Sequence, residues 1–234
     1  MAELATCSTR GAPGRDRCAD DRGAVVVEAA LVFPLILLLL LGIMDFGMLY
    51  KQEQTLIVSA QLTSRSVANV ANSPTADYNA VLGARASLTS LRSSTYDYVI
   101  VYRTPQSTAG TAPDRPTGLC LAAANAVSPT AVGGRIGVSG CNVYTRGMIE
   151  ATSAVSPGAQ FAVTGAAPGT CPNSSWHSNW CPTSRVNTQL GNGGLGPDHV
   201  GVYIQARYTP LTGITSAQTF SDYAVYRLEP IPIS

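Results

Sequence analysis

The sequence predicts an α+β chain: a long N-terminal transmembrane helix continuing into a stalk, then a loop-rich antiparallel β-sheet domain stapled by disulfides. Three observations carry this. Residues 24–50 are almost wholly apolar, with Glu28 and Asp45 as the only charges. Segments 95–105, 200–208 and 222–230 are rich in Tyr and Val and are set off by turn residues, the pattern of strands. Four of the six cysteines follow the apolar run, where a membrane crossing would put them in an oxidising compartment.

Composition narrows the function classes. A chain of 234 residues has room for one domain or two small ones. Net charge is +1 and only 12% of residues are charged. That argues against a nucleic-acid partner, which requires a basic face, and against a disordered charged tail. The 22 glycines and 15 prolines mark the body as loop-rich.

Taken in order, residues 1–23 form a polar leader and 24–50 the membrane helix. The run exceeds the roughly 20 apolar residues a crossing requires and is long for a signal-peptide core of about 7–15. Pro34 is tolerated there, because a membrane helix re-satisfies the freed carbonyl locally. Arg10, Arg15, Arg17 and Arg22 precede the run, whereas Lys51 and Arg65 follow it. This asymmetry favours the N-terminus in the cytoplasm, with the C-terminal domain outside. Residues 51–74 form the stalk. Apolar positions Leu56, Val58, Ala60, Leu62, Val67 and Val70 mix spacings of 2, 3 and 4, but no Gly or Pro interrupts the stretch before Pro74. A helix continuous with the span is expected.

Residues 75–234 are the extracytoplasmic domain. "SP" at 73–74 starts a second helix running to about Leu91. "TYDYVIVYRTP" is a strand ending at Pro105. Residues 106–135 are an Ala, Thr, Pro and Gly-rich loop, and "RIGVSGCNVYTRGMIEA" holds one short strand or two. "GNGGLGP" is a flexible turn. "HVGVYIQARYTPL" and "FSDYAVYRLEPI" are the closing strands, in a sheet of three to five strands packed on the stalk.

Cys120, Cys141, Cys171 and Cys181 allow three pairings. Cys120–Cys141 and Cys171–Cys181 are favoured because each closes a short local loop. Cys7 and Cys18 are too far apart for a metal knuckle and are read as incidental. His177 lies between Cys171 and Cys181, but the spacing matches no common zinc pattern, so a disulfide outweighs a metal site. Trp176 and Trp180 are read as covering that bridge rather than as an exposed contact patch. His199 beside Asp198 invites a hydrolytic triad, yet no nucleophile elbow stands near. No catalytic residue, cofactor or metal is assigned. "GNGGLG" lacks the Lys-Ser/Thr of a phosphate loop. Asp45, at the outer end of the span, is read either as a contact to an assembly partner or as an interfacial residue meeting water.

Glu28 poses the sharpest question, since a carboxylate within a membrane segment costs roughly 2.5–3.5 kcal/mol at mid-span and is a functional-site candidate. Near the cytoplasmic end the cost is lower, and the plain alternative is a tolerated interfacial Glu that snorkels to the headgroups. If the chain were cut after Gly23, Ala24 would carry a new ammonium group. It would stand one helical turn from Glu28, on the same face. The pair could form within one chain or with a packed neighbour.

A polar leader ending "DRG", then "AVVVE", then "AALVFPLILLLLLG" resembles the type IV prepilin signature. More narrowly, "GAVVVEAALVFPLILLLLLGIMDFG" is similar to the start of the TadE family, pseudopilin-like proteins of the tight-adherence (Tad/Flp) pilus machinery. "DHVGVYIQARYTPLTG" and "DYAVYRLEP" resemble the closing strands of longer TadE-like proteins. After the Glu, where the family often has an aromatic residue, this chain has Ala29. The resemblance implies a non-enzymatic minor pilin or pseudopilin in the membrane that assists pilus assembly. It would be processed at Gly23–Ala24 by a prepilin peptidase and docked through Glu28. Its partners would be other pilins and Tad inner-membrane assembly proteins. Two alternatives are an unprocessed single-pass protein with an extracytoplasmic binding module, and a secreted hydrolase using His177 or His199.

Overall fold

The computed structural model describes residues 17–70, 72–89, 91, 94–104, 115–133, 137–138, 140–152, 161, 170–171, 175–188, 196–210, 212–213 and 216–229. Cys7 lies outside them, as does the side chain of Cys18. The chain divides into two units, residues 1–44 and 45–234.

In the first unit the described residues belong to helix α1 (Arg17–Val70), which passes through Pro34 and enters the second unit unbroken. Residues 25–44 are apolar around the whole circumference apart from Glu28. Twenty residues at 1.5 Å each span about 30 Å, the thickness of a bilayer core.

The second unit is built on a five-stranded antiparallel sheet of order β2-β3-β1-β4-β5. The strands are β1 (Ser94–Thr104), β2 (Gly137–Val138), β3 (Cys141–Thr145), β4 (His199–Tyr208) and β5 (Gln218–Arg227). Strand side chains alternate between faces, so central β1 feeds two cores. Val99 and Val101 join Val202 and Ile204 of β4 on one face. Against that face pack Leu56, Ala60 and Val67 of α1, and Ala80, Val81 and Ala84 of α2 (Ala76–Leu88). Tyr98, Ile100 and Tyr102 point to the other face, where α3 (Gly118–Asn125) supplies Cys120 and Ala124. Gly201 of β4 sits under the Tyr102 ring, and a Cβ there would overlap it.

The α+β architecture, the sheet on the stalk helix, the second helix and the closing strands follow the sequence expectation. Two short helices do not. Residues 118–125 fold as α3 inside the stretch expected to be loop, because Leu and Ala make this Pro-flanked octet a good helix former. Residues 146–151 form α4 (Arg146–Ala151), which starts where the Thr145 hydroxyl accepts from the Met148 N–H. That side-chain cap satisfies an otherwise orphaned donor.

Along α1 in the second unit the buried residues are Asp45, Gln52, Leu56, Ser59, Ala60, Thr63, Ser64, Val67 and Ala68. Five of these nine are polar, three of them Ser or Thr. Ser59 and Ser64 donate to the Thr55 and Ala60 carbonyls, both at 2.7 Å, so their hydroxyls are satisfied without leaving the helix. Val58 and Leu62, apolar positions by sequence, are exposed.

Candidate processing and assembly site

Gly23 and Glu28 both lie within α1, which begins at Arg17 and runs through the Gly23–Ala24 bond without a break. Both are exposed. A Cβ at Gly23 would meet nothing within 4 Å, so the absence of a side chain there answers no packing need inside the chain. Glu28 forms no ion pair among the described residues. The backbone places Ala24 and Glu28 four residues apart on one helix face, the spacing on which the proposed pairing depends. The side chain of Ala24 lies outside the described residues.

Beyond Glu28 the helix presents Val32, Phe33, Leu35, Leu38 and Leu39 outward, with Phe33 65% and Leu35 68% exposed. The most apolar 18-residue window of this helix has mean hydropathy 2.7 and is 0% buried. So large an uncovered apolar surface is not left to water in a folded protein. This helix is long and apolar enough to cross a membrane.

Asp45 does not meet water as one expectation had it. It is 7% exposed and turned into its own body. The Thr212 hydroxyl donates to its Oδ2, and the buried Tyr208 phenol donates to its backbone carbonyl at 3.2 Å. Burial and the neighbouring carboxylate raise the Tyr208 pKa. Asp45 therefore ties α1 to the end of β4.

The late cysteines bond as Cys120–Cys141 and Cys171–Cys181, with Cα separations of 6.0 and 5.5 Å. The first links α3 to β3 across one core. The second closes the loop that carries both tryptophans. Trp176 and Trp180 are buried, and Trp180 Nε1 donates to the Val101 carbonyl at 3.1 Å, so this loop is fastened to the central strand. His177 Nδ1 accepts from the Asn179 N–H at 3.2 Å and serves the turn. Among the described residues no group of three His, Cys, Asp or Glu side chains converges as metal ligands do. Asp198 receives Arg103 Nε and Nη2 at 3.0 and 2.7 Å on one oxygen and the Val186 N–H at 2.8 Å on the other. It holds a loop rather than orienting His199. Burial, then Arg227, lowers the His199 pKa.

Sequence reasoning missed a buried ion pair. Asp77 of α2 and Arg185 are both 0% exposed at the side chain, 2.6 Å apart. Asn142 and Tyr144 of β3 donate to Asp77 Oδ2 at 2.7 and 2.6 Å, and the Arg185 guanidinium lies 4.8 Å from the Trp180 ring centroid. Burial, with Asp77 adjacent, pushes the Tyr144 pKa well above its ordinary range. The cluster clamps α2, β3 and the tryptophan loop together. No local signal marks it, since Asp77 stands 65 and more residues from each of its partners.

The family model described as TadE-like protein matches residues 23–65. The N-terminal segment of this chain is TadE-like. The match opens on Gly23, takes in Glu28 and Pro34, and ends within the part of α1 that packs on the sheet. No curated protein and no solved structure matches the chain.

Proposed function

We propose that the protein is a membrane-anchored minor pilin or pseudopilin that assists assembly of a Tad/Flp-type pilus. The observation that carries this reading is the TadE-like match that opens on Gly23 and covers a helix whose most apolar 18-residue window is 0% buried. The body would lie outside the cytoplasmic membrane and the leader inside. A prepilin peptidase would cut between Gly23 and Ala24. Other pilins and Tad inner-membrane proteins would be the assembly partners. The chain would be a substrate and building block rather than an enzyme.

The helical state of the scissile bond supplies a physical role for Gly23. A peptidase acts on a locally opened backbone, so the turn around residue 23 has to unwind first. Gly is about 1 kcal/mol less favourable in a helix than Ala, which eases that opening. Once cut, the Ala24 ammonium would start the helix and stand one turn from Glu28. The ion pair would offset the cost of a carboxylate in the membrane and would fix how one subunit seats beside another.

Intact mass and N-terminal sequence of the membrane-extracted protein from its own host test this. The expected N-terminus is Ala24, with Gly23→Arg blocking the cut and Glu28→Ala permitting it while reducing piliation. An N-terminus at Met1 or Ala2 in the wild type overturns the processing step, and normal piliation by Glu28→Ala removes the docking role.

A further inference from the structure

Strand β5 is the outermost strand of the sheet. It pairs with β4 in unbroken register from His199↔Arg227 to Tyr208↔Gln218, and no strand pairs with its other edge among the described residues. It contains no proline and no bulge. Its outward N–H and C=O groups form a ladder ten residues long, without the proline, lysine or bulge that usually blunts an edge. Within it the Tyr223 N–H donates to the neighbouring Asp222 Oδ1 at 2.8 Å, a local contact that an incoming strand's carbonyl would replace.

The arginines single this edge out. Arg85 donates to the Thr152 carbonyl, and Arg103, Arg146, Arg185 and Arg207 lie against Asp198, Glu150, Asp77 and Asp97. The remaining arginines with described side chains are Arg65, Arg115 and Arg227, and none has an acceptor partner among the described residues. All three gather on β5. Arg65 of α1 sits over the Tyr226 ring at 5.5 Å and Arg115 over the Tyr223 ring at 5.7 Å. Tyr223 and Tyr226 are three apart, so they face opposite sides of the strand. Phe220 and Ala224 pack with the α1 side, whereas Tyr223 and Val225 pack with the α3 side. The edge is therefore flanked by an arginine on each face, neither in an ion pair among the described residues, with Arg227 at its end and Asp222 the acid within the strand.

We propose that the outer edge of β5 binds an extended acidic segment of a partner protein by strand addition. Backbone hydrogen bonds to the open ladder would supply affinity that depends little on sequence. Specificity would come from two carboxylates three residues apart, one reaching Arg65 and the other Arg115. Acids two or four apart would fall on one face and meet the arginine of that face alone. The inference is independent of leader cleavage.

The test uses the full chain in nonionic detergent micelles and a fluorescein-labelled ten-residue Thr/Val peptide with Asp at its fourth and seventh positions. Saturable anisotropy is expected, with new hydrogen-exchange protection of the β5 amides. Moving the second Asp to the eighth position, or changing Arg65→Ala or Arg115→Ala, should each weaken binding roughly two- to fivefold, the scale of an exposed ion pair. Replacing two central residues of the peptide by proline should abolish binding. No binding, equal binding of the proline peptide, or absence of β5 protection overturns the proposal. Protection of β5 by phosphatidylglycerol vesicles but not by the peptide would make this face a lipid contact and would likewise overturn it.

Discussion

One helix serves two solvents. Residues 25–44 of α1 are apolar on every side and contribute nothing to a protein core, whereas residues 45–70 are mixed in character and press a stripe of Gln, Ser, Thr, Ala and Leu against a sheet. The more polar half is the half buried in protein. All-round apolarity signals lipid, because a helix meeting a protein core on one side carries an apolar stripe and a polar remainder. Ser59 and Ser64 can be buried there because their hydroxyls bond carbonyls of their own helix. Hydrophobicity summed along the chain would have assigned the two halves the wrong way round as core.

The largest expected effect breaks this contrast directly. Leu38→Arg with Leu39→Arg, in the middle of the exposed run, should disfavour membrane insertion by roughly 5–7 kcal/mol on insertion scales. The pair of changes should remove the chain from the carbonate-resistant membrane fraction. The matching pair Val58→Arg and Leu62→Arg, on exposed positions of the second half, should leave anchoring intact and body stability within about 0.5 kcal/mol. Equal loss of anchoring by both pairs would show that the boundary near Asp45 separates nothing.

A smaller effect sharpens the comparison from the body's side. Arg185→Ala would leave Asp77 charged and buried, a change that costs about 3–5 kcal/mol. Asp77→Ala with Arg185→Met should recover part of this, since no lone charge remains. The two tryptophans both lie buried in the second unit, so their fluorescence reports unfolding of the body without a contribution from the span. A denaturant midpoint for Arg185→Ala equal to the wild type would show that the pair is not part of the core.

The sequence carried the anchor, the α2 helix and the long strands, because each is written in local periodicity: an unbroken apolar run, or Val and Tyr between turn residues. Gly23 and Glu28 were legible for the same reason, as a charge and a glycine at fixed offsets from that run. The Asp77–Arg185 cluster was not, since only tertiary folding brings α2, β3 and the tryptophan loop together. Asp45 misled because its contacts, Tyr208 and Thr212, lie more than 160 residues away. Helix α3 was hidden by its Pro, Thr and Gly surroundings, which dominate composition over any window wider than eight residues. The unpaired arginines around β5 were equally invisible, since Arg65 and Arg115 become neighbours of one strand only once α1 and α3 cover opposite faces of the sheet.

The smallest effect concerns alkaline pH and belongs to the body alone. Tyr144 has its pKa raised well above 10 by burial and by Asp77, and Tyr96 and Tyr98 are each pushed up to about 12, chiefly by burial. A raised folded pKa means that the unfolded chain releases its proton first. The stability these phenols contribute is complete below pH 10 and is lost as pH rises from there through their folded values. The body should therefore loosen progressively above pH 10, each such tyrosine adding up to about 1.4 kcal/mol per pH unit to the slope. Tyr144→Phe should cost about 1.5–3 kcal/mol at pH 7 through its lost hydrogen bond to the charged Asp77, yet reduce the alkaline slope by one phenol's share. Tryptophan-monitored unfolding between pH 9 and 11 reads both quantities. An unchanged slope in the variant would mean that Tyr144 ionises as readily in the folded body as in the unfolded chain, and would remove it from the sealed interior that distinguishes the body from the span.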